Sequence, residues 1–596
     1  MILETEIDGL LYSLDTDEQE AMVKKCMDRE RQGEVVIPES FFHEGIVYRV
    51  TSIGRRAFSG CSSLTAITIP ESVTSTEELA FRGCTSLTAI NIPEGVTSIG
   101  MGVFFGCKGL TDIALPEGVT SIGSSAFLGC SSLAAINIPM SVTSIGNQTF
   151  IGCSSLTEIT IPEGVTSIGK WPFSGCSNLT AIIVTEGNTI YDSRNGCNAI
   201  IETNSNTLIQ GCSATIIPES VTSIGDRAFY NCSSLTVINI PEGVTSIGSS
   251  AFSGCSSLTA INIPMSVTSI GNYTFVGCSS LTEITIPEGV TSIGKWAFPG
   301  CSNLTAIIVT KGNTVYDSRN GCNAIIETNS NTLIQGCSAT IIPESVTSIG
   351  DQAFYSCSSL TAITIPKSVT SIGKSAFSNC SSLTAINISD GVTSIEECTF
   401  YNCSGLTAIN IPKGVTSIGG SAFSGCSGLT AINIPKSVTN IGVCAFYNCS
   451  SLTAINIPQS VTSIEIGAFS RCSSLTGITI PKSVTSIGNC AFSGCTSLTG
   501  ILIPKGVTSI GKEALKNTGI TYLTILGKPT IDEEAFDGCG QLTDIYCYSE
   551  EVPTAKDNAF GSLDLSRITL HVPESALEAY KNTEPWSQFG AIEAIK

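Results

Sequence analysis

Residues Cys255 through Gly277 read CSSLTAINIPMSVTSIGNYTFVG, and two kinds of spacing alternate within them. Ile261 and Ile263 sit two apart after Leu258, the period of a strand with one buried face, so Leu258–Ile263 predicts a strand of about four to six residues. Pro264 carries no N–H and ends the ladder. Val267-Thr-Ser-Ile270 predicts a second extended piece. Gly271 is expected to let the chain turn, after which a short helical or 3-10 step carries Phe275 and Cys278 inward. One circuit closes in 23 residues.

The circuit repeats. Phe-x-x-Cys recurs at Phe58/Cys61, Phe81/Cys84, Phe104/Cys107, Phe127/Cys130, Phe150/Cys153 and Phe173/Cys176, each cysteine 23 residues after the last, and the period returns from Cys232 to Cys301 and from Cys357 to Cys495. The six large apolar side chains of one unit bury too little surface to offset the entropy of ordering its whole backbone, so a lone unit does not fold. Stacking pairs each strand with its neighbours and covers both sides of every apolar layer. The expectation is a solenoid, mainly parallel β with short helical or 3-10 turns, of about 22 coils and roughly 100 Å.

Two interruptions punctuate the stack: Cys176 to Cys232 and Cys301 to Cys357 span 56 residues instead of 46. Thr185–Cys212 and Thr310–Cys337 are near copies at a shift of 125 residues, which also relates Trp171 to Trp296, so a block was duplicated. A hairpin turning at Asn204-Ser205 would pair Ile200 with Ile209, Ile201 with Leu208 and Cys197 with Cys212. Cys322 and Cys337 repeat the arrangement, giving two candidate disulfides for an oxidising compartment. The organisation read from the chain is an N-terminal cap over 1–50 with strands at Ile7–Tyr12 and Val47–Val50, repeats over 51–184, 218–309 and 343–517, and irregular inserts at 185–217 and 310–342. Degenerate repeats at 518–572 and a C-terminal cap at 573–596, opened by Ser575 as helix N-cap, complete it.

Composition narrows the function. A formal charge of -21 over 596 residues argues against nucleic acid, whose affinity comes from Lys and Arg neutralising phosphates. Mean hydropathy is +0.30, yet Thr, Ser, Gly and Pro break every apolar run, so membrane insertion is not expected. The start, Met-Ile-Leu-Glu-Thr-Glu, shows no secretory signal. With only His43 and His571, one near each cap, no His-based triad or zinc cluster is evident, and no cofactor or metal is expected. Most of the 27 cysteines fall at one core position and read as a buried free-thiol ladder. Cys398, Cys444 and Cys490 stand apart, two residues before Phe in alternate coils, and read as partly exposed thiols. The outward strand positions are mostly Thr, Ala and Asn, without aromatic clusters.

Two features depart from monotony. The residue after Pro is acidic early (Glu71, Glu94, Glu117, Glu163, Glu219, Glu242, Glu288, Glu344) and basic late (Lys367, Lys413, Lys436, Lys482, Lys505), so one edge changes sign. Each insert also gathers Tyr, Asp, Arg and Asn: Tyr191, Asp192, Arg194 and Asn195 in the first, Tyr316, Asp317, Arg319 and Asn320 in the second. Tyr and Arg are enriched in binding hot spots, and irregular segments on a rigid scaffold often carry recognition. An odd coil patched into the stack by its own strands is the competing reading.

The pattern Ala-Phe-x-x-Cys-x-x-Leu-x-x-Ile-x-Ile-Pro with Val-x-x-Ile-Gly, carried by Phe58, Cys61, Leu64, Ile67, Ile69, Pro70, Val73 and their successors from residue 50 to about 570, resembles the BspA-type, or treponemal-class, leucine-rich-repeat proteins of bacterial surfaces. The flanks also look like those of Bacteroidota members. The resemblance implies a curved, right-handed leucine-rich-repeat solenoid, non-enzymatic and placed at the cell surface or outside the cell, where it adheres to host or microbial proteins. The alternative is a passive structural or antigenic display protein without a discrete site.

Overall fold

The computed structural model describes residues 2–30 and 32–595. Its chain divides into two compact units, Met1–Cys301 and Ser302–Lys596. Both are β-solenoids of mostly parallel strands, with about 24 turns in all against the 22 or so coils expected. Each regular coil contributes two rungs. In the first unit Val237–Asn239 pairs with Ala260–Asn262, Ile238 facing Ile261, while Ser223, Ser246, Ser269 and Ser292 align in a second parallel sheet. In the second unit six strands from Ala362–Thr364 to Gly477–Thr479 form one parallel sheet. The strands are shorter than the periodicity predicts, Ala260–Asn262 and Ser269–Ile270 in the reference coil. The segment between them folds back on itself, the Val267 amide donating to Pro264 O at 3.1 Å.

The expected helical or 3-10 step is absent from the reference coil, and the structure gives the reason. Tyr273 (φ 58°) and Gly277 (φ 71°) are both left-handed, which interrupts any right-handed helical run. Amides of this segment donate instead to the following coil: Tyr273 N to Lys295 O at 3.0 Å and Phe275 N to Ala297 O at 2.7 Å. Gly271 has a different role from the one expected. Its φ is not positive, but a Cβ there would sit 2.5 Å from Ser249 N, so glycine is needed for close approach between coils rather than for the turn.

Inside each unit the phenylalanines stack in parallel. Phe58 through Phe173 keep centroid separations of 5.2–5.6 Å, and the stack resumes from Phe229 to Phe298 and, in the second unit, from Phe354 to Phe492. The ladder cysteines are buried beside them and act as donors: Cys84 Sγ to Phe58 O, Cys255 Sγ to Phe229 O and Cys403 Sγ to Phe377 O, each at 3.1 Å. Cys398, Cys444 and Cys490 are part-exposed. Threonines make two further ladders, exemplified by Thr259 Oγ1 to Thr236 O at 3.1 Å and Thr268 Oγ1 to Thr245 O at 3.2 Å.

The caps depart from expectation in detail. Asp8 (φ 51°) and Gly9 (φ 76°) form a hairpin turn that splits the single strand expected over Ile7–Tyr12 into Ile2–Ile7 and Leu10–Asp15. Asp-Gly suits such a turn because both central residues need positive φ. Val47–Val50 lies within the strand Ile46–Ile53. At the other end Ser575 is not an N-cap: it lies inside the 3-10 turn Glu574–Ala576, and the helix Leu577–Lys581 has no side-chain cap. Tyr580, Trp586 and Phe589 nonetheless bury against the last coils.

Burial pushes the ladder thiols up from their ordinary value of 9.0, to about 12 at Cys278, Cys403 and Cys449. Between about pH 9 and 12 the unfolded chain loses thiol protons that the folded chain keeps, so stability falls as pH rises. The urea midpoint is therefore expected to drop between pH 7.5 and pH 10; a midpoint that holds or rises contradicts the buried ladder.

Candidate binding site at the inserts

The first insert wedges three strands into the stack. Tyr191–Asp192, Ala199–Glu202 and Thr207–Gly211 form an antiparallel meander, and the last strand joins the Ser-Ile sheet in parallel, Leu208 facing Ile224. On the turn side the flanking coils meet directly, Gly175 N donating to Tyr230 O at 3.1 Å. The insert therefore adds rungs on one side of the coil only. Gly211 makes this fit, because a Cβ there would lie 2.2 Å from the Phe229 ring. In the second unit Gly336 stands in the same relation to Phe354.

The hairpin register differs from the expected one. Ile201 faces Leu208 as predicted, but a bulge between Ile200 and Ile201 sets Ile200 against Gln210 rather than Ile209, and Ala199 against Gly211. One step further out, Asn198 rather than Cys197 lies across from Cys212. A bulge adds one residue to one strand and shifts every pairing beyond it. The same register recurs in the second insert, Ala324 facing Gly336, which corrects the direct opposition of Cys322 and Cys337 as well. All four cysteines are buried free thiols. Cys212 Sγ donates to Asn198 O and Cys337 Sγ to Asn323 O, both at 3.3 Å.

The polar cluster is turned largely inward. Tyr191 is buried, and its hydroxyl accepts from the Ile168 amide at 3.1 Å, closing the backbone gap the wedge opens. Arg194 grips Asp192 through two bonds, Nε to Oδ1 at 2.7 Å and Nη2 to Oδ2 at 2.5 Å. Its Nη1 reaches Asn206 Oδ1 at 2.9 Å and Ser220 Oγ at 3.1 Å. One guanidinium thus ties the 3-10 turn Arg194–Gly196 to the hairpin tip and to the following coil, and Asp192 holds it above the usual arginine value. Arg319 repeats the set with Asp317, Asn331 and Ser345. Tyr316 is buried like Tyr191. Asn195 (φ 60°) and Asn320 (φ 60°) are the exposed members.

Two surfaces beside the first insert escaped the sequence reading. One is a cleft of about 240 Å³ lined by Lys170, Trp171, Tyr191, Glu202, Ile209 and Asp226. Trp171 forms its rim in a left-handed conformation (φ 59°), with the Arg227 guanidinium 3.7 Å above its ring. The same left-handed corner recurs at Ser125 and Gln148, 46 and 23 residues earlier, so it belongs to the coil and not to the cleft. The other surface is apolar. On an outward face built mostly of Thr, Ala and Asn, Ile183, Ile216 (74% exposed) and Val237 (61% exposed) are exposed on the strand segments either side of the first insert. In the second unit Ile308 and Ile341 (75% exposed) occupy the equivalent positions. The signal was present in the sequence: Thr180-Ala-Ile-Ile183 places isoleucine where Thr259-Ala-Ile-Asn262 has asparagine.

The expectation of no aromatic clusters on the strand face fails at the C-terminal end. Tyr522 lies over Gly500, whose missing Cβ would sit 2.2 Å from the ring. Tyr546 stacks on His571 at 4.4 Å, and His571 Nε2 bonds Asp544 Oδ1 at 2.9 Å. Among the described residues no group of three or more His, Cys, Asp or Glu side chains is arranged to hold a metal, and no helix is long and apolar enough to cross a membrane.

Parallel strands on two sides of a 23-residue coil, with a Leu-x-x-Ile-x-Ile face and a stacked phenylalanine core, define a leucine-rich-repeat solenoid. Six copies of the BspA type Leucine rich repeat region match residues 45–134, 78–201, 199–322, 330–453, 421–531 and 462–583, and the chain belongs to that family. Among solved structures it is similar to a leucine rich cell surface protein from Faecalibacterium prausnitzii, with 28% identity, 76% of this chain and 94% of that one covered, and a TM-score of 0.38. It is also similar to a leucine-rich repeat protein from Bacteroides ovatus (27% identity, 74% and 99% covered, TM-score 0.34) and to the pneumococcal vaccine antigen PcpA (21% identity, 63% and 94% covered, TM-score 0.46). None of the curated proteins matches.

Because Arg194 joins three backbone segments, Arg194→Met is expected to cost about 1–2 kcal/mol locally by leaving Asp192 and Asn206 without it. Amide exchange should accelerate about tenfold in Thr207–Gly211 and stay unchanged in coils remote from the insert. Unchanged exchange in the meander would show that the guanidinium is dispensable to it.

Proposed function

We propose that the chain is a non-enzymatic protein-binding solenoid acting at the bacterial surface or outside the cell as an adhesin for host or microbial proteins. The observation that carries this reading is the exposure of Ile183, Ile216 and Val237 on a mostly polar strand face flanking the first insert, repeated at Ile308 and Ile341 beside the second. Apolar side chains grouped on an exposed face mark interaction sites, and these flank inserts that the Arg194 and Arg319 networks hold in place. Tyr191, Asp192, Arg194, Tyr316, Asp317 and Arg319 act in this proposal chiefly as positioning residues, while Asn195 and Asn320 contribute exposed amides. The repeat framework supplies no converging acid, base and nucleophile, as catalysis would need. The uninterrupted Thr ladders of the regular coils support a second reading, a display protein in which coil number matters more than any site.

The test is a binding screen of the purified chain against immobilised matrix proteins, plasma proteins and glycans, with Ile183→Asn/Ile216→Asn and Ile308→Asn/Ile341→Asn beside the native sequence. These exposed positions tolerate asparagine, which regular coils carry there. Saturable binding weakened about tenfold or more by the substitutions is expected. Binding indifferent to them would move the site elsewhere, and no binding to any member would favour display.

A further inference from the structure

The residues that follow the strand-ending turn form a row along one edge of each unit, one per coil and in register, because the rungs beside them pair at intervals of 23 residues. In the first unit the row runs Glu94, Glu117, Met140, Glu163, Glu186; in the second it runs Lys413, Lys436, Gln459, Lys482, Lys505. All ten side chains are exposed. Among the described residues none of these eight charges makes an ion pair within the chain, although Lys374, Lys512, Lys516 and Lys528 elsewhere all do. Each row thus stacks like charges about 4.8 Å apart per coil, and Asp390 stands in the same line one coil before Lys413.

The two rows are complementary in spacing as well as sign. Both read charge, charge, neutral, charge, charge, so in one alignment four glutamates meet four lysines and the neutral Met140 meets the neutral Gln459. Beside the lysine row runs a groove of about 690 Å³ lined by Asn410, Pro412, Lys413, Asn433, Lys436 and Asn456, among others, where asparagine amides stand ready for further carboxylates or carbonyls. We infer that the chain self-associates, laying the acidic row of one copy's first unit along the basic row and groove of another copy's second unit. The antiparallel alignment is favoured. It sets Glu71 against the uncharged Gly527 at the next rung, whereas the parallel one would set Glu71 against Asp390. Opposite rows steer encounter and fix register, and regular coils give both rows the same pitch.

The test uses the full chain in sedimentation velocity at low and high salt, about 20 mM and 500 mM. Reversible association at low salt that is lost at high salt is expected; a monomer under both conditions overturns the inference. Two variants reverse one row each: Lys413→Glu/Lys436→Glu/Lys482→Glu/Lys505→Glu, and Glu94→Lys/Glu117→Lys/Glu163→Lys/Glu186→Lys. Each alone should associate about tenfold or more weakly, and mixing the two should restore association, since the acidic row of the first then meets the basic row of the second. A control with the same net charge as the first variant, Lys25→Glu/Lys108→Glu/Lys556→Glu/Lys581→Glu, should associate like the native chain. Association that survives either reversal, fails to return on mixing, or falls equally in the control means the rows do not form the contact. Circular dichroism of each variant confirms that the exposed substitutions leave the fold in place.

Discussion

The hydrogen bond from one coil to the next is the constraint on which the rest of the structure depends. A 23-residue circuit with left-handed residues at two of its corners satisfies only alternate turning amides internally, such as Ala251 and Ser253, and Ser250 and Phe252 show where the others go: to carbonyls of the following coil. The same dependence draws the ladder thiols toward phenylalanine carbonyls and the threonine hydroxyls toward threonine carbonyls. Because polar groups of each coil are completed by the next, period is more tightly fixed than composition. Gly271 belongs to this logic, since only a residue without Cβ lets two backbones lie that close.

An insert is costly in such a lattice, which makes its construction informative. The wedge adds strands on one side and lets the coils meet on the other, so amides near the gap need new partners. The Tyr191 hydroxyl receives the Ile168 amide, Ser193 Oγ receives the Val184 amide, and Arg194 binds the loose turns together. Residues that look like a recognition motif by type are thus largely engaged in repairing the ladder. The exposed isoleucines beside the repair, Ile183 and Ile216, recur as Ile308 and Ile341 in the second copy of the duplicated block.

Much of this was legible in the sequence. The 23-residue period gave the solenoid, the Leu-x-x-Ile-x-Ile spacing gave the inward face, and the fixed Phe-x-x-Cys position gave the buried thiols. What was not legible depends on contacts between coils. Left-handed φ at Tyr273 follows from no local propensity, so the turn reads as helical until its amides are traced outward. The bulge at Ile200 is invisible to a pairing rule counted from Asn204-Ser205. The fate of Arg194 could not be told from its type, because an arginine beside an aspartate and an asparagine reads equally as hot spot or clamp. Ile183 and Ile216 were readable and were passed over, since isoleucine in a strand is expected inside.

The central claim is that the interruptions, not the regular coils, carry recognition. Hydrogen exchange of the chain with and without a protein captured in the binding screen tests it most directly. The account predicts new protection concentrated at Ala181–Val184, Ile216–Ile217 and Val237–Asn239, with the matching segments around Ile308 and Ile341. Protection spread evenly over regular coils such as Ala408–Asn410, with none at the inserts, would contradict it.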